Sequence, residues 1–282
     1  MGCMETGDHL DLPAYLRRVG LDRAPSVDLD GLRTLHAAQL SSVAFENIDP
    51  LVGRIPDIML PDLQRKLVGK GRGGRCFENN SLLRAALESV GFTVKPLIGR
   101  VRYDTDVIPA RTHALTLVTL DGRQWLTDVG FGIDALAAPI ELADGAESEH
   151  NGWHHQLRRE HWLGSPHWTL HLLRGQEDTL LYSFLDEETP FIDYQLGYHY
   201  TTTSGRSRFG KHLYFAADHG GKRSLLVRNR FSHVTGEGPG EERQLAAAEL
   251  TAGFLREEFQ LTVTEEDLAV LRAHPDMAAS AE

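Results

Sequence analysis

Apolar positions in the first ninety residues recur at helical spacing. Asp11-Leu12-Pro13 opens one run, with Asp11 as the cap and Pro13 in the first turn. Leu12, Tyr15, Leu16 and Val19 then share a face, and Gly20 ends it. The pattern repeats over residues 28–40 through Leu29, Leu32, Leu35, His36 and Leu40. It returns from Pro61, with Leu60, Leu63, Leu67 and Val68. A fourth helix is predicted over residues 77–89, carrying Leu82, Leu83, Ala86 and Leu87, with Val90 and Gly91 at its end. After Gly91 the period shortens. Residues 94–103, 113–120 and 124–129 read as strands, the last two joined by the hairpin signal Asp121-Gly122. Runs rich in Trp and His over 153–173, then 179–185, continue an antiparallel middle third, a barrel or a curled sheet. Beyond Tyr198 the pattern is mixed. Strands are predicted at 213–215 and 224–230, and helices at 241–259 and 265–273. Residues 143–151 and 236–240 read as loose connections, and no internal repeat is present.

Composition narrows the class. The chain has 282 residues, 41% hydrophobic and 24% charged, which is ordinary globular chemistry with room for about two domains. Lys and Arg number 29 against 40 Asp and Glu, a formal net charge of −11. That balance disfavours general binding to nucleic acids or anionic membranes. The 2 cysteines, Cys3 and Cys76, cannot build a disulfide framework or a thiolate zinc site, and read as free thiols in a reducing compartment. No apolar run reaches the roughly 18 residues of a membrane span, and the polar start has no signal-peptide core. A cytoplasmic protein is expected. Met1-Gly2-Cys3-Met4-Glu5-Thr6 fits the loose myristoylation pattern but has no basic residues beside it, and is set aside.

The chemistry concentrates at Arg72-Gly73-Gly74-Arg75-Cys76-Phe77-Glu78-Asn79-Asn80. Two glycines turn the chain, and a cysteine stands where the fourth helix begins. Amides exposed at a helix start carry partial positive charge and favour a thiolate there. The plain alternative is a small buried cysteine that only packs. A nucleophile needs a base, and the base needs an orienting group. His113 starts one strand of the hairpin and Asp128 ends the other, so the two are expected near-opposite, with the carboxylate fixing the imidazole tautomer.

At these residues the chain resembles the arylamine N-acetyltransferase family. Phe45-Glu46-Asn47-Ile48-Asp49 resembles its Phe-Glu-Asn signature, and residues 72–80 its Arg-Gly-Gly-x-Cys-x-Glu-x-Asn motif. Thr112-His113 and Asp128-Val129-Gly130-Phe131-Gly132 resemble its histidine and aspartate motifs, in the same chain order. The resemblance is strong over residues 10–140. It implies an α+β fold with a cysteine-protease-like catalytic core. Its parts would be a helical bundle over 1–95 carrying the cysteine, an antiparallel β-barrel over 96–200 carrying the histidine and aspartate, and an α/β lid over 201–282. It further implies a triad of Cys76, His113 and Asp128, and acetyl transfer from acetyl-CoA to aromatic amines or hydrazines by a ping-pong route. Acetyl-CoA would be a co-substrate, with no permanent cofactor and no metal. Thr112, Phe131, Gly132 and Phe209 would meet the coenzyme, and Arg206, Arg208 and Lys211 would attract its phosphates. A monomer or homodimer is expected, with no nucleic-acid or membrane partner. Two positions depart from the pattern: Ala44 replaces a common proline, and Arg75 replaces a common aromatic, placing a cation beside the nucleophile.

Other readings carry less. Residues 70–75 resemble a glycine-arginine box but occur once, in an acidic chain, without a P-loop ending. His150, His154, His155, His161, His167 and His171 lack ligand spacing, and a barrel surface explains them. Phe45 and Trp125 are expected in the core, Phe131 at a pocket, and Glu46 and Asp49 in loop-fixing hydrogen bonds. Rival functions are an amide synthase acting on a carrier-bound polyketide, a transglutaminase-like or papain-like hydrolase, and an inactive binding protein.

Overall fold

A computed structural model describes residues 9–103, 105 and 107–278. Helices α1 (Leu12–Arg18) and α2 (Leu29–Ser42) each start at an aspartate. Asp11 accepts from the Ala14 amide at 3.0 Å and Asp28 from the Gly31 amide at 2.8 Å, pairing donors that a helix start leaves open. A two-residue strand, β1 (Phe45–Glu46), precedes the single turns α3 (Ile48–Leu51) and α4 (Leu60–Leu63). The run predicted from Pro61 continues as a π-helical turn over Gln64–Gly69 instead of an α-helix. Helix α5 (Cys76–Val90) follows. The predicted apolar faces of α1, α2 and α5 meet, burying Tyr15, Leu32, Leu35, Leu82, Leu83 and Leu87 together.

Eight antiparallel strands come next: β2 (Thr93–Val101), β3 (His113–Leu120), β4 (Arg123–Thr127), β5 (Ile140–Glu141), β6 (Glu147–His150), β7 (Trp153–Trp162), β8 (Ser165–Arg174) and β9 (Glu177–Phe184). Their order is β5-β4-β3-β2-β9-β8-β7-β6, and the end strands β5 and β6 touch, so the sheet curls into a nearly closed barrel. Its interior holds Leu97, Leu115, Leu126, Trp153, Leu157 and Leu170. The β3–β4 turn has Asp121 at φ 49° and Gly122 at φ 75°, the left-handed pair that a two-residue hairpin requires. Strand β6 lies inside the stretch read as loose. Glu147, Glu149 and His150 are exposed, so no apolar alternation announced it.

Helix α6 (Phe191–Thr203) was not predicted; its aromatic and threonine content hides the helical period. Strands β10 (Tyr214–Asp218), β11 (Arg223–Val227), β12 (Arg230–Thr235) and β13 (Gly238–Gln244) then form a second antiparallel sheet, ordered β1-β10-β11-β12-β13. Strand β1, from the first fifty residues, is its edge: Phe45 faces Ala216 and Glu46 faces Phe215. The helix predicted over 241–259 is corrected. Residues up to Gln244 extend β13 against β12, with Arg230 and Glu242 paired at 2.9 Å. The helix starts only at α7 (Ala252–Phe259), where Thr251 caps Phe254. Helix α8 (Glu265–Arg272) closes the fold. Among the described residues no helix is long and apolar enough to cross a membrane.

Candidate active site

Cys76 is the first residue of α5 and is buried, with its thiol 3.6 Å from the Thr112 carbonyl and close to the His113 ring. His113 opens β3. Its Nε2 lies 2.7 Å from Asp128 Oδ2, which leaves Nδ1 for the thiol. The β3–β4 pairing ends at Thr116 and Thr127, one residue before Asp128. Carried on, that register sets Asp128 opposite Leu115 and His113 opposite Gly130. The pair therefore meets diagonally on one face and not directly across, as diagonal neighbours with long side chains can. Burial works against a charged imidazole, but the Asp128 carboxylate, with Cys76, outweighs it and pushes His113 up to about 10. Burial would raise Asp128, yet the charge and hydrogen bond of His113, with bonds from Asn80 and the Gly130 amide, hold it low.

Several groups fix this pair. Asn80 lies one turn after Cys76, on the same face of α5. Its Nδ2 donates to Asp128 Oδ1 at 2.8 Å and to the Ala114 carbonyl at 2.7 Å, while its Oδ1 accepts from the Val129 amide at 3.0 Å. Gly130 packs so closely on this helix that a Cβ would fall 2.8 Å from Cys76 Cα, so only glycine fits. The His113 ring packs in a triangle with Phe131 and Tyr182, its centroid 5.0 and 4.9 Å from theirs, and theirs 5.1 Å apart. Tyr182 escaped the sequence reading, because in β9 it looks like any alternating core residue. Its phenol is held protonated by burial and by the facing Asp128 charge.

The Phe-Glu-Asn segment braces the same place from the other side. Phe45 is buried, as expected, and also forms cleft wall, 5.6 Å from the Phe209 ring and 5.3 Å from that of Tyr214. Trp125 does pack against the helical core. Glu46 accepts from Arg72 Nη2 at 2.7 Å and from the Ile48 amide at 2.6 Å. Asn47 donates to the carbonyls of Phe209 and His212, both at 2.7 Å, and accepts from the Tyr214 amide at 2.9 Å. Lys66 Nζ lies 2.6 Å from both Asp49 and Glu78, and Glu78 accepts from the Arg75 amide at 2.9 Å. Glu46 and Asp49 thus tie loops together, as predicted.

Cys76 and His113 open onto a cleft of about 390 Å3. Thr112, Phe131 and Phe209 line it, and Arg206 and Arg208 stand exposed at its side. Lys211 and Gly132 do not line it. Gly132, with φ 75°, abuts Tyr214, whose hydroxyl would lie 2.8 Å from a Cβ there. Arg75 does not reach the cleft either. Its side chain is buried under α6, where Thr201 and Thr202 take its hydrogen bonds. His155, His167 and His171 are buried, not surface groups, and the described residues hold no cluster of metal-ligand type. Cys3 and the myristoylation-like start lie outside the described residues.

A family model described as N-acetyltransferase matches residues 28–268. The arylamine N-acetyltransferase of Mycolicibacterium smegmatis is 39% identical over 206 residues, covering 71% of this chain and 74% of that protein. The chain belongs to the arylamine N-acetyltransferase family. Solved members of the family share the fold. The Nocardia farcinica arylamine N-acetyltransferase superposes with a TM-score of 0.89 at 32% identity, covering 96% of each chain. The Mycobacterium marinum arylamine N-acetyltransferase, solved in complex with CoA, gives a TM-score of 0.85 at 29% identity, covering 93% of this chain and 99% of that one. Within the arylamine N-acetyltransferase pattern, Ala44 and Arg75 remain the two departures, and both lie away from the thiol–imidazole–carboxylate line.

Proposed function

We propose that this chain moves an acetyl group from acetyl-CoA to the nitrogen of aromatic amines and hydrazines through an acetyl-cysteine at Cys76. The observation that carries this is the buried line from the Cys76 thiol through His113 to Asp128, closed by the 2.7 Å contact. His113 takes the thiol proton, and Asp128 holds the resulting imidazolium. The Cys76 sulfur attacks the thioester carbonyl. Its oxyanion is stabilised by the backbone amide of Cys76 at the start of α5. The C–S bond to coenzyme A breaks, and that thiolate leaves with the proton from His113. The aromatic amine then attacks the acetyl-cysteine, gives its proton to His113, and releases Cys76. Thr112, Phe131 and Phe209 hold the pantetheine end of the coenzyme, with Gly132 setting the backbone behind Phe131. Arg206 and Arg208 face its phosphates. Acetyl-CoA enters as a co-substrate.

The test is a mass measurement. Acetyl-CoA without amine should leave one acetyl group on the intact protein, mapped to Cys76. Cys76→Ala should stay folded and take none. Acetylation elsewhere, or turnover by Cys76→Ala, overturns the reading.

A further inference from the structure

Beside the cleft lies a second cavity, of about 420 Å3. Thr112 and Tyr200 line both, so the two hollows adjoin at these residues, and the Thr112 carbonyl lies 3.6 Å from the Cys76 thiol. Its floor is apolar. Gly197 of α6 lies so close to Phe77 that a Cβ would fall 2.5 Å from the ring, with Ile98 of β2 beside it. At its opening α6 presents Leu196, 68% exposed, and Tyr200, 38% exposed, one turn apart. Large apolar side chains left in water beside a reaction centre are what a ligand covers. The rim carries Glu187, Glu188 and Asp193, with Arg111 3.7 Å from Glu187, so three carboxylates less one guanidinium leave two negative charges. The neighbouring cleft carries the opposite sign: Arg206 and Arg208 line it against one carboxylate, Asp134, which is itself paired with Arg174 at 2.8 Å.

We propose that this second cavity is an acceptor-side subsite: it takes the distal part of an extended aromatic amine and prefers an apolar tail that ends in a cation. The inference rests on the acetyl-transfer reading and deepens it. The reacting nitrogen stays at Cys76 while the tail passes Thr112 and Tyr200. The acidic rim repels coenzyme phosphates, which the arginines attract, so donor and acceptor are sorted by charge into different hollows. The rim charges are exposed, so their selection is modest and fades with salt.

The test compares three acceptors at saturating acetyl-CoA: 4-methylaniline, 4-(3,3-dimethylbutyl)aniline, and its isostere with a trimethylammonium end. The neutral tail should raise kcat/KM at least about threefold over 4-methylaniline, through apolar contact. The cationic tail should exceed its neutral isostere by roughly five- to tenfold at low ionic strength, and by less than about twofold in 0.5 M salt. In the Glu188→Gln/Asp193→Asn variant, with its Tm checked, that cation-to-neutral ratio should fall toward one. Three results would overturn the subsite while leaving acetyl transfer standing: no gain from the neutral tail, equal use of the two isosteres by the parent, or a ratio the variant does not change. Failure to acetylate any of the three amines, with Cys76 unmodified by acetyl-CoA, would bring down the underlying reading and this inference together.

Discussion

Arg75 Nη2 stands 2.6 Å from Thr202 Oγ1, and its guanidinium carbon lies 4.7 Å from the centre of the Tyr198 ring. The residue before Cys76 is thereby fastened to α6. Ser207 Oγ in turn donates to the Thr201 carbonyl at 2.7 Å, and the segment around it carries Arg206, Arg208 and Phe209. Arg75→Met breaks this fastening. It should lower stability by about 2–3 kcal/mol, the cost of lost buried charge-assisted bonds. It should also raise KM for acetyl-CoA more than it lowers the acetylation rate at saturation. Urea unfolding and single-turnover kinetics measure the two effects. An unchanged KM would leave Arg75 a purely structural group.

Asp128→Asn keeps the shape of the carboxylate but removes the charge that holds His113 high. The first half-reaction should slow by roughly two to four orders of magnitude, because the neutral amide admits the wrong imidazole tautomer. The readout is acetyl incorporation at Cys76, together with the pH profile of its alkylation by iodoacetamide. If both match the parent, the assignment of Asp128 fails.

Stability should peak near neutrality, for reasons of opposite sign. His36 and His155 are fully buried, and burial drives them down to about 4 and about 3. Below pH 6.5 the unfolded chain gains protons that these folded imidazoles refuse, so stability falls with pH from 6.5 toward 4. His36 alone accounts for about 3 kcal/mol, at about 1.4 kcal/mol per pH unit. His113 is raised, so its contribution is complete below 6.5 and is lost as pH climbs through about 10. Urea midpoints of the parent and His36→Leu between pH 7 and 5 check the acid limb, which the substitution should flatten. Equal slopes would show that His36 is not its source.

A single cysteine that is first acetylated and then freed does not need both substrates together. Double-reciprocal plots at several amine concentrations should be parallel, and coenzyme A, which reacts back with the acetyl-cysteine, should compete with the amine. Anilines and arylhydrazines should outpace alkyl amines. An alkylammonium of pKa about 10.4 keeps almost no free lone pair at neutral pH. Because Arg75 faces α6 and not the cleft, it adds nothing to this selectivity. Intersecting lines, or faster transfer to an alkyl amine, would revive the amide-synthase and hydrolase alternatives.

The helices around Cys76 were legible because their apolar faces repeat cleanly and their caps are aspartates. The hairpin was legible from Asp121-Gly122, whose left-handed backbone few other pairs tolerate. Its register follows from the same turn: a loop of residues 121 and 122 pairs Leu120 with Arg123, and counting on from there sets His113 two residues out of line with Asp128, diagonal and not opposite. Helix α6 stayed hidden because tyrosine, threonine and glycine blur its period, and Tyr182 because a buried strand position carries no mark of its neighbour. The side-chain direction of Arg75 was also out of reach. A cation next to a nucleophile in sequence lies on another side of the helix start, and only the packing of α6 decides where it goes.

Strand β1 is bordered on one side by β10 and on the other by Gly74, whose amide and carbonyl pair with Ala44 and Glu46 at 3.1 Å. During synthesis the chain leaves the ribosome N-terminus first, and residues 214–218 emerge long after Cys76. Until they do, one edge of the strand that braces the nucleophile loop is open, and Asn47 has no carbonyls at Phe209 and His212 to grip. A nascent or prematurely stopped chain therefore lacks Phe209 and Tyr214, and with them one wall of the cleft onto which the thiol opens.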